Sequence, residues 1–310
     1  TILWDVLKTG NRDTIRLDCD YVMDALANAL RGAIIAAPGS QLYVADYAAI
    51  EARVVMWLAN DQEALGVFRR KEDIYKDMAA DIYDIPMTNV SGAQRQHGKQ
   101  AVLGCGYQMG WSKFQATCAK YGIEIDDEMA QRIVTAYRQK YWRVAQMWGD
   151  QDLAAVETVQ TKRPHTCGKV TWLIEGSYLY CVLPSGRRLA YPFPEIRRRE
   201  TPWGSTKHAL TFMGTNPYSR QWMRQTTYGG SLVENMTQAV ARDLMAEAMI
   251  RCEASGTYLP VLSVHDELIA EATLGTGNVT EFEQLMAACP EWAEGCPIEA
   301  AGWTGERYRK

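Results

Sequence analysis

Hydrophobic positions along the chain follow both strand-like and helical spacings. The apolar run LYVA at 42–45 leads directly into Asp46, which predicts a buried strand over about 42–46 that ends on a carboxylate. Apolar residues three and four apart, as in IEARVVMWLA, predict helices. We place these helices over about 18–36, 50–59, 72–83, 126–149 (or 126–159 if the pattern continues) and 278–288.

Two short polar patterns predict further helix starts. In a Ser-x-x-Gln or Ser-x-x-Glu sequence, the two side chains can each accept a hydrogen bond from the other's backbone N–H group. The pattern SGAQ at 91–94 therefore opens a helix that runs to about residue 107. The pattern SLVE at 231–234 opens another, which runs to about residue 254.

The second half of the chain contains most of the predicted strands. Residues 166–213 hold short β-rich pieces separated by Gly and Pro, which is typical of a meander. Two later apolar runs, at 258–264 and 268–272, flank the sequence HDE and predict a tight hairpin with acidic residues at its tip. The tail after residue 288 is expected to be loop-like.

These elements predict an α+β architecture, in which an antiparallel sheet carries a mostly helical insertion. We divide the chain into residues 1–57, an insertion over 58–160, and residues 161–310. A length of 310 residues is enough for one large or two modest domains with a substantial core.

Composition places the chain among soluble globular proteins. Hydrophobic residues make up 47% and charged residues 23%, and no apolar run approaches the ~20 residues of a membrane span. Eight cysteines without a CxxC pair, and no signal peptide, predict reduced thiols and a cytoplasmic location without membrane contact. Because the chain begins at Thr1 rather than Met, we expect it to be a fragment of a longer protein.

Charge is distributed unevenly along the sequence. The net charge is −4, but residues 160–225 contain eleven basic and only three acidic residues, so this segment carries +8 and the remainder −12. A basic segment on an acidic protein indicates a polyanionic partner. A solvated basic loop is the alternative, and charge alone does not decide between them.

Two aspartates stand where distant parts of the sequence can meet. Asp46 ends a strand and Asp266 lies at a hairpin tip. Neighbouring carboxylates are costly unless a cation lies between them, and Mg²⁺ prefers such oxygen ligands. A pair of ions at such a site stabilises the attacking and leaving oxygens of phosphoryl transfer. Two unrelated acidic turn residues remain the alternative.

The helix predicted from residue 91 carries an unusual face. Arg95, Lys99, Leu103 and Tyr107 are four residues apart and share one side of the helix, and no carboxylate lies four residues from either cation along it. A triphosphate can lie along the two cations while a sugar or base packs on Leu103 and Tyr107. Three glycines clear space for close approach: Gly98, Gly104 and Gly106.

Three of these segments together resemble known motifs. VADYAAIEARV at 44–54, RQHGKQAVLGCGYQMG at 95–110 and VLSVHDELIAEA at 261–272 are similar to motifs A, B and C of the family A DNA polymerases, the bacterial DNA polymerase I group, in a phage-like version. LPSGRRLAYPFPEI and YGGSLVENMTQAVARDLM resemble the segments between motifs B and C. The order of the motifs is that of the family, and the resemblance extends over nearly the whole chain from about residue 30.

The resemblance implies a right-hand palm and a helical fingers domain. Residues 1–57 would form the N-terminal part of the palm, 58–160 the fingers, and 161–310 the rest of the palm. The implied metal ligands, for two Mg²⁺ ions or Mn²⁺ in their place, are Asp46, Asp266 and the backbone carbonyl of Tyr47. Glu267 would be a further catalytic residue beside them.

The same resemblance implies how substrates are bound. Arg95 and Lys99 would bind the triphosphate, with Lys99 protonating the leaving pyrophosphate, and Leu103 and Tyr107 would lie near the sugar and the templating base. Glu51 would pack on Tyr107 and occupy the space that a 2′-hydroxyl needs. The residues expected to contact primer–template DNA are Gln238, His265, Arg242 and Arg53.

The implied activity is template-directed addition of deoxynucleotides to a primer 3′-hydroxyl, with release of pyrophosphate, in the cytoplasm of a bacterial host. A catalytically idle DNA-binding remnant or accessory module is the alternative, and Glu51 argues against an RNA polymerase. Leu103 and Ala49 depart from the residues usual in the family. Since only about 40 residues precede motif A, we expect the thumb to be absent from this chain. A thumb or exonuclease part would then be supplied in cis or as a separate chain.

Overall fold

The structure is a computed structural model that describes residues 10–11, 30–200, 204 and 206–309. Of the helix predicted over 18–36, residues 18–29 lie outside the described residues. Residues 30–32 are helical, whereas 33–36 are not, and Ile35 forms a β-bridge with Arg307. The chain forms two compact units. The first comprises Thr1–Ala48, Met245–Ala288 and Ile298–Lys310, and the second comprises Ala49–Leu244 and Cys289–Pro297.

The described residues form the following elements in chain order. The helices are α1 (Ile50–Leu58), α2 (Gln62–Arg69), α3 (Ile74–Tyr83), α4 (Gly92–Cys105), α5 (Trp111–Lys120), α6 (Asp127–Lys140), α7 (Trp142–Thr161), α8 (Gly229–Ala254) and α9 (Val279–Ala287). The strands are β1 (Ser40–Tyr47), β2 (His165–Cys167), β3 (Val170–Glu175), β4 (Tyr178–Val182), β5 (Arg188–Pro192), β6 (Glu195–Glu200), β7 (Thr206–Thr215), β8 (Trp222–Thr226), β9 (Leu259–Val264), β10 (Glu267–Thr273) and β11 (Ala300–Gly305). This mixture of helices and antiparallel strands confirms the predicted α+β class.

The first unit is built on a four-stranded antiparallel sheet in the order β11-β1-β10-β9. β1 is buried along most of its length because it is the neighbour of two other strands, and Leu42, Val44 and Ile269 form a core cluster with Tyr308. The predicted hairpin is confirmed, since β9 and β10 are joined by a two-residue turn, His265–Asp266.

The C-terminal tail contains a strand where the sequence predicted a loop. β11 has the sequence AAGWTG, which has few of the β-branched and aromatic residues that favour strands. It nevertheless pairs with the whole second half of β1, with Ala45 opposite Gly302 and Tyr47 opposite Ala300. The prediction failed because the partner strand, rather than local propensity, decides this conformation.

Helices dominate the first part of the second unit. The predicted capping box is confirmed, because Gln94 N–H donates to Ser91 Oγ at 3.3 Å and Ser91 N–H donates to Gln94 Oε1 at 2.9 Å. α4 then crosses α3 at close range, since a Cβ atom on Gly98 would lie 2.0 Å from the carbonyl oxygen of Tyr75. The space beside Gly98 is therefore filled by the neighbouring helix, so the close approach that this glycine allows is that of α3.

The long helix predicted from residue 126 is divided into two helices. α6 ends at Lys140 and α7 begins at Trp142, with Tyr141 between them in a non-helical conformation. Neither Gly nor Pro marks the break in the sequence, and Tyr141 is 1% exposed. Tyr137 contacts Tyr141 edge to face, with ring centroids 5.0 Å apart. The helix is thus interrupted at the place where these two rings pack together. Helical periodicity in the sequence does not predict this break.

Two small antiparallel sheets follow α7 and confirm the predicted meander. The first has the order β2-β3-β4-β5 and the second the order β6-β7-β8. The inner face of the first sheet is anchored to α7, because Trp172 Nε1 donates to Gln151 Oε1 at 2.8 Å, and both side chains are buried. Most of the basic segment is therefore ordered β-structure rather than a solvated loop.

The helix predicted to begin at the second capping pattern begins earlier. α8 starts at Gly229, so Ser231 lies inside its first turn and is not the cap. The reason is a close packing contact, since a Cβ atom on Gly229 would lie 1.8 Å from the carbonyl oxygen of Trp148 in α7. Only glycine allows the helix to start against this backbone.

None of the described helices is long and apolar enough to cross a membrane.

We predict that Gly229→Ala destabilises the protein by about 1–3 kcal/mol or more, because the added methyl group must displace the backbone of α7. Gly149→Ala is the matched control. Gly149 is exposed on α7 with no atom near its would-be Cβ, so alanine should raise stability by about 0.5–1 kcal/mol. Denaturant unfolding of both variants measures the difference, and equal midpoints would contradict the packing argument.

Candidate active site

The two predicted metal ligands lie side by side in the first unit. Asp46 is opposite Glu267 in the register of β1 and β10, and Tyr47 N–H donates to the carbonyl oxygen of Asp266 at 3.0 Å. The sheet buries the strand up to Ala45, whereas Asp46 and Asp266 are only half-buried. The structure thus brings together the backbones of two acidic residues that are 220 positions apart in the sequence.

Glu267 has a partner inside the protein. Its side chain is 7% exposed and accepts a hydrogen bond from the hydroxyl of Tyr308. Burial, together with this hydrogen bond to Glu267, raises the pKa of Tyr308 to about 12. The tyrosine therefore stays protonated, and remains a donor, well beyond the pH at which an ordinary tyrosine ionises. Sequence reasoning placed Glu267 beside the aspartates but did not find Tyr308.

The donor set suits a hard divalent cation. Within the part of the chain that the structure describes, no group of three or more His, Cys, Asp and Glu side chains could form a protein-only metal site. Mg²⁺ does not require one, because it is commonly held by one or two carboxylates while waters and substrate phosphates complete its shell. Asp46, Asp266 and the carbonyl oxygen of Tyr47 supply oxygen atoms of that kind, and the exposed part of the two carboxylates leaves room for the rest.

The predicted cationic face of α4 lies in the second unit, and its two cations differ. Arg95 Nε lies 2.5 Å from Asp73 Oδ2, and its guanidinium stands over the ring of Tyr75. Burial opposes ionisation of Asp73, but hydrogen bonds from Arg95 and from backbone N–H groups outweigh it and lower the pKa of this carboxyl. Lys99 is half-buried and has no ion pair among the described residues. No carboxylate lies four residues from either cation along α4, as the sequence shows, and the partner of Arg95 is instead Asp73, the residue that caps the start of α3.

A cleft of about 280 Å³ opens at the end of this helix. Tyr107 follows the C-terminus of α4, and its hydroxyl donates to Glu51 Oε2 at 2.8 Å. Burial, with the charge of Glu51 as a second cause, raises the pKa of Tyr107 well above its usual value. The predicted packing of Glu51 on Tyr107 is present, and Leu103 is exposed on the same wall.

Residues that the sequence did not single out complete the cleft. Glu234 on α8 lies near Glu51, and burial followed by repulsion from Glu51 raises the pKa of Glu234, while Lys113 opposes the shift. Gly230 N–H donates to Gln108 Oε1 at 3.1 Å and joins the start of α8 to the turn after Tyr107. The sequence predicted Glu234 only as the last residue of the helix-start pattern SLVE, and this pattern does not indicate that its side chain lines the cleft.

The residues predicted to contact DNA occupy different settings. Gln238 is exposed and lines the cleft, and Arg242 is exposed one turn further along α8. His265 is exposed in the hairpin turn of the first unit, with φ of 54°. Arg53 is 5% exposed, donates to the carbonyl oxygen of Pro297 at 2.8 Å and stands over the ring of Phe68. A buried side chain committed to these contacts does not fit the predicted role in DNA binding.

Much of the charge in the basic segment is paired. Arg187 forms an ion pair with Asp243, which lies outside the segment. Arg188 pairs with Glu175 at 2.8 Å, and Arg197 and Arg224 share Glu195, each at 2.8 Å. The pairs with Glu175 and Glu195 are already included in the net +8 of the segment, and only the pair with Asp243 lowers that value further.

Comparison with known proteins identifies the class to which this arrangement corresponds. Residues 19–169 match the model of DNA polymerase family A. The POL domain of Pol1 from M. smegmatis, solved in complex with DNA primer-template and dNTP, superimposes with a TM-score of 0.59 at 20% identity and covers 92% of this chain and 42% of that chain. The chain thus has the fold of a polymerase domain.

Two curated relatives agree with this class. The DNA polymerase of Bacillus phage SP02 is 36% identical over 310 residues, which is 99% of this chain and 47% of the relative. DNA polymerase I of Pseudomonas aeruginosa is 28% identical over 247 residues, covering 78% of this chain and 22% of the relative. This chain is similar to these DNA polymerases, and the predicted resemblance is confirmed. It spans less than half the length of each of these relatives.

We predict that Tyr308→Phe lowers the free energy of unfolding by about 1–3 kcal/mol, because it leaves the buried carboxylate of Glu267 without this donor. Tyr218→Phe is the control, since Tyr218 is 95% exposed and its hydroxyl can bond to water. Denaturant unfolding at neutral pH compares the two variants. If the two lose equal stability, the hydrogen bond to Glu267 is not a source of stability.

Proposed function

We propose that this chain catalyses template-directed addition of deoxynucleotides to the 3′-hydroxyl of a primer, with release of pyrophosphate. The observation that carries the proposal is the placement of Asp46 beside Asp266 across the β1–β10 pair. Two adjacent, half-exposed carboxylates at the end of a buried strand offer a site for divalent cations. Similarity to polymerases over nearly the whole chain supports the same reaction.

Asp46, Asp266 and the carbonyl oxygen of Tyr47 would hold Mg²⁺, or Mn²⁺ in its place. When bound, the ions would lower the pKa of the attacking 3′-hydroxyl and stabilise the charge on the phosphoryl oxygens. The role of the protein is to hold the two carboxylates in position. The hydrogen bond between Tyr308 and Glu267 contributes to this, because it holds the third carboxylate in place beside Asp46.

The cations of α4 would bind the triphosphate. Arg95 is held by Asp73, so its guanidinium is fixed in position before a substrate arrives. Lys99 lies one turn further on, and a lysine there can both bind an anion and donate a proton. We therefore assign to Lys99 the protonation of the leaving pyrophosphate and to Arg95 the orientation of the phosphates.

The cleft at Tyr107 would select the sugar. Glu51 is held in position by the hydroxyl of Tyr107, and its carboxylate would occupy the space that a 2′-hydroxyl requires. A fixed group that fills this space discriminates against the larger sugar by shape. The partners that follow from this proposal are primer–template DNA and dNTPs, and Gln238, Arg242 and His265 are the exposed candidates for contacts with DNA.

The first experiment is primer extension with Mg²⁺ and the four dNTPs. Asp46→Asn and Asp266→Asn should each lower the rate at least about 100-fold, because metal-ion stabilisation is worth several kcal/mol. Glu253→Gln, an exposed acidic residue on α8, should leave it unchanged. Thermal unfolding checks that the variants are folded. Substantial extension by both aspartate variants would disprove the assignment, and DNA binding without extension by the unmodified chain would favour the idle module.

The second experiment concerns the choice of sugar. Glu51→Ala should raise the ratio of ribonucleotide to deoxyribonucleotide incorporation at least about tenfold, because it opens the space beside the 2′ carbon. Glu51→Gln is the matched variant, since it fills the same volume and can still accept a hydrogen bond from Tyr107. Single-nucleotide incorporation with each substrate measures the ratio. An equal rise in both variants would assign the selection to charge rather than to shape, and no rise in either would remove Glu51 from it.

A further inference from the structure

The outward face of the sheet β2–β5 carries a row of partly exposed aromatic rings. Side chains on β4 alternate between the core and the surface, with Leu179 and Cys181 buried and Tyr178 and Tyr180 facing outward. Phe193, directly after β5, contributes a third ring. We call Tyr178, Tyr180 and Phe193 the aromatic row.

The rings of the row are in sequential contact. Tyr180 and Tyr178 are stacked, with centroids 5.7 Å apart and planes 23° apart, and Tyr178 and Phe193 follow at 6.4 Å and 31°. The guanidinium of Arg188 stands 5.6 Å from the centre of the Tyr180 ring. One end of the row is thus a cation, and the other is a ring that is 51% exposed.

Phe193 is held outward by an unusual backbone conformation. Its φ is 48°, in the left-handed region that bulky side chains rarely adopt. Two hydrogen bonds impose it, since Phe193 N–H donates to the carbonyl oxygen of Ser177 at 2.7 Å and Arg224 donates to the carbonyl oxygen of Phe193 at 2.9 Å. Strained residues of this kind concentrate at functional sites. Core packing does not explain the strain, because the ring is on the surface.

The surroundings of the row favour an anionic ligand. A cleft of about 240 Å³ beside Phe193 is lined by Lys162 as well as Glu195. Four basic residues surround the row and its cleft, and three of them share the two nearby carboxylates, which leaves a net charge of +2: Lys162, Arg188, Arg197 and Arg224 with Glu175 and Glu195. Aromatic rings among cations are the means by which proteins bind single-stranded nucleic acid without sequence preference, because every base has a face that can stack.

We propose that the aromatic row is a binding platform for single-stranded DNA, on which bases stack while the neighbouring cations contact phosphates. No residue of the row lines the cleft at Tyr107, so the platform is a second site. The choice of DNA as the ligand rests on the proposed function, whereas the stacking chemistry does not.

The test measures binding of a labelled oligothymidylate of about twelve nucleotides by fluorescence anisotropy. The variant is the double substitution Tyr178→Ser with Phe193→Asn, because asparagine tolerates a positive φ and removes only the ring. We expect its affinity for the oligonucleotide to fall at least about tenfold, and its affinity for a blunt duplex of the same length to change less than about twofold. Phe193→Asn alone serves as the test if the double variant does not fold.

Two controls separate stacking from charge and from general damage. Tyr218→Ser removes an aromatic side chain that is 95% exposed and outside the row, and it should not change binding. An abasic strand of the same length carries the same phosphates but no bases. It should bind the unmodified chain more weakly than oligothymidylate does, and its affinity should be the same for the double variant. Unchanged oligothymidylate binding, or an equal loss for the abasic strand, would overturn the proposal.

The result is independent of the polymerase reaction. Addition of one nucleotide to a primer–template whose template strand extends by a single base should proceed at the same rate in the row variants, because such a substrate has no further single strand to bind. If the row variants lose this activity as well as affinity for the oligonucleotide, the aromatic row belongs to the reaction site. The proposal of a second site would then be wrong. Absence of activity in the unmodified chain would count against the proposed function alone.

Discussion

The antiparallel pairing of β1 with β10 is the interaction on which the candidate metal site depends. It places Asp46 opposite Glu267 and next to Asp266, although the two strands are separated by more than two hundred residues. Because side chains alternate along a strand, a slip of one residue would turn Asp46 to the opposite face. Such a slip would also remove Leu42 and Val44 from the core cluster that they form with Ile269 and Tyr308. The hydrophobic core of the first unit therefore fixes the position of its charged groups.

In the second unit, close contact between helix backbones plays the corresponding part. Gly98 lets α4 cross α3, and the same pair of helices brings Asp73 within reach of Arg95. Gly229 lets α8 begin against α7, and that start places Gly230 and Glu234 beside the turn that carries Tyr107. Close packing of the helices therefore fixes both the position of Arg95 on α4 and the residues that line the cleft.

Charge is the property that tertiary structure changes most. The arginines of the basic segment meet carboxylates from the same sheets and from α8, so four of them are already held in ion pairs. What remains distinctive about this segment is the exposure of its rings. Phe193 is held on the surface by backbone hydrogen bonds, a feature that neither composition nor periodicity indicates.

The sequence by itself determined the elements with strong local signals and the residue types of the site. Periodicity, the capping box at Ser91 and the hairpin at His265 all depend on neighbours within a few positions, and the ordered motifs identified the polymerase-related residues. Only the tertiary structure decided the strand β11, the break at Tyr141, the start of α8, the burial of Arg53 and the partners of Arg95 and Glu267. Each of these features depends on contacts between residues far apart in the chain. Such contacts leave no periodic pattern in the sequence, because the stabilising free energy comes from the distant partner and not from the segment itself.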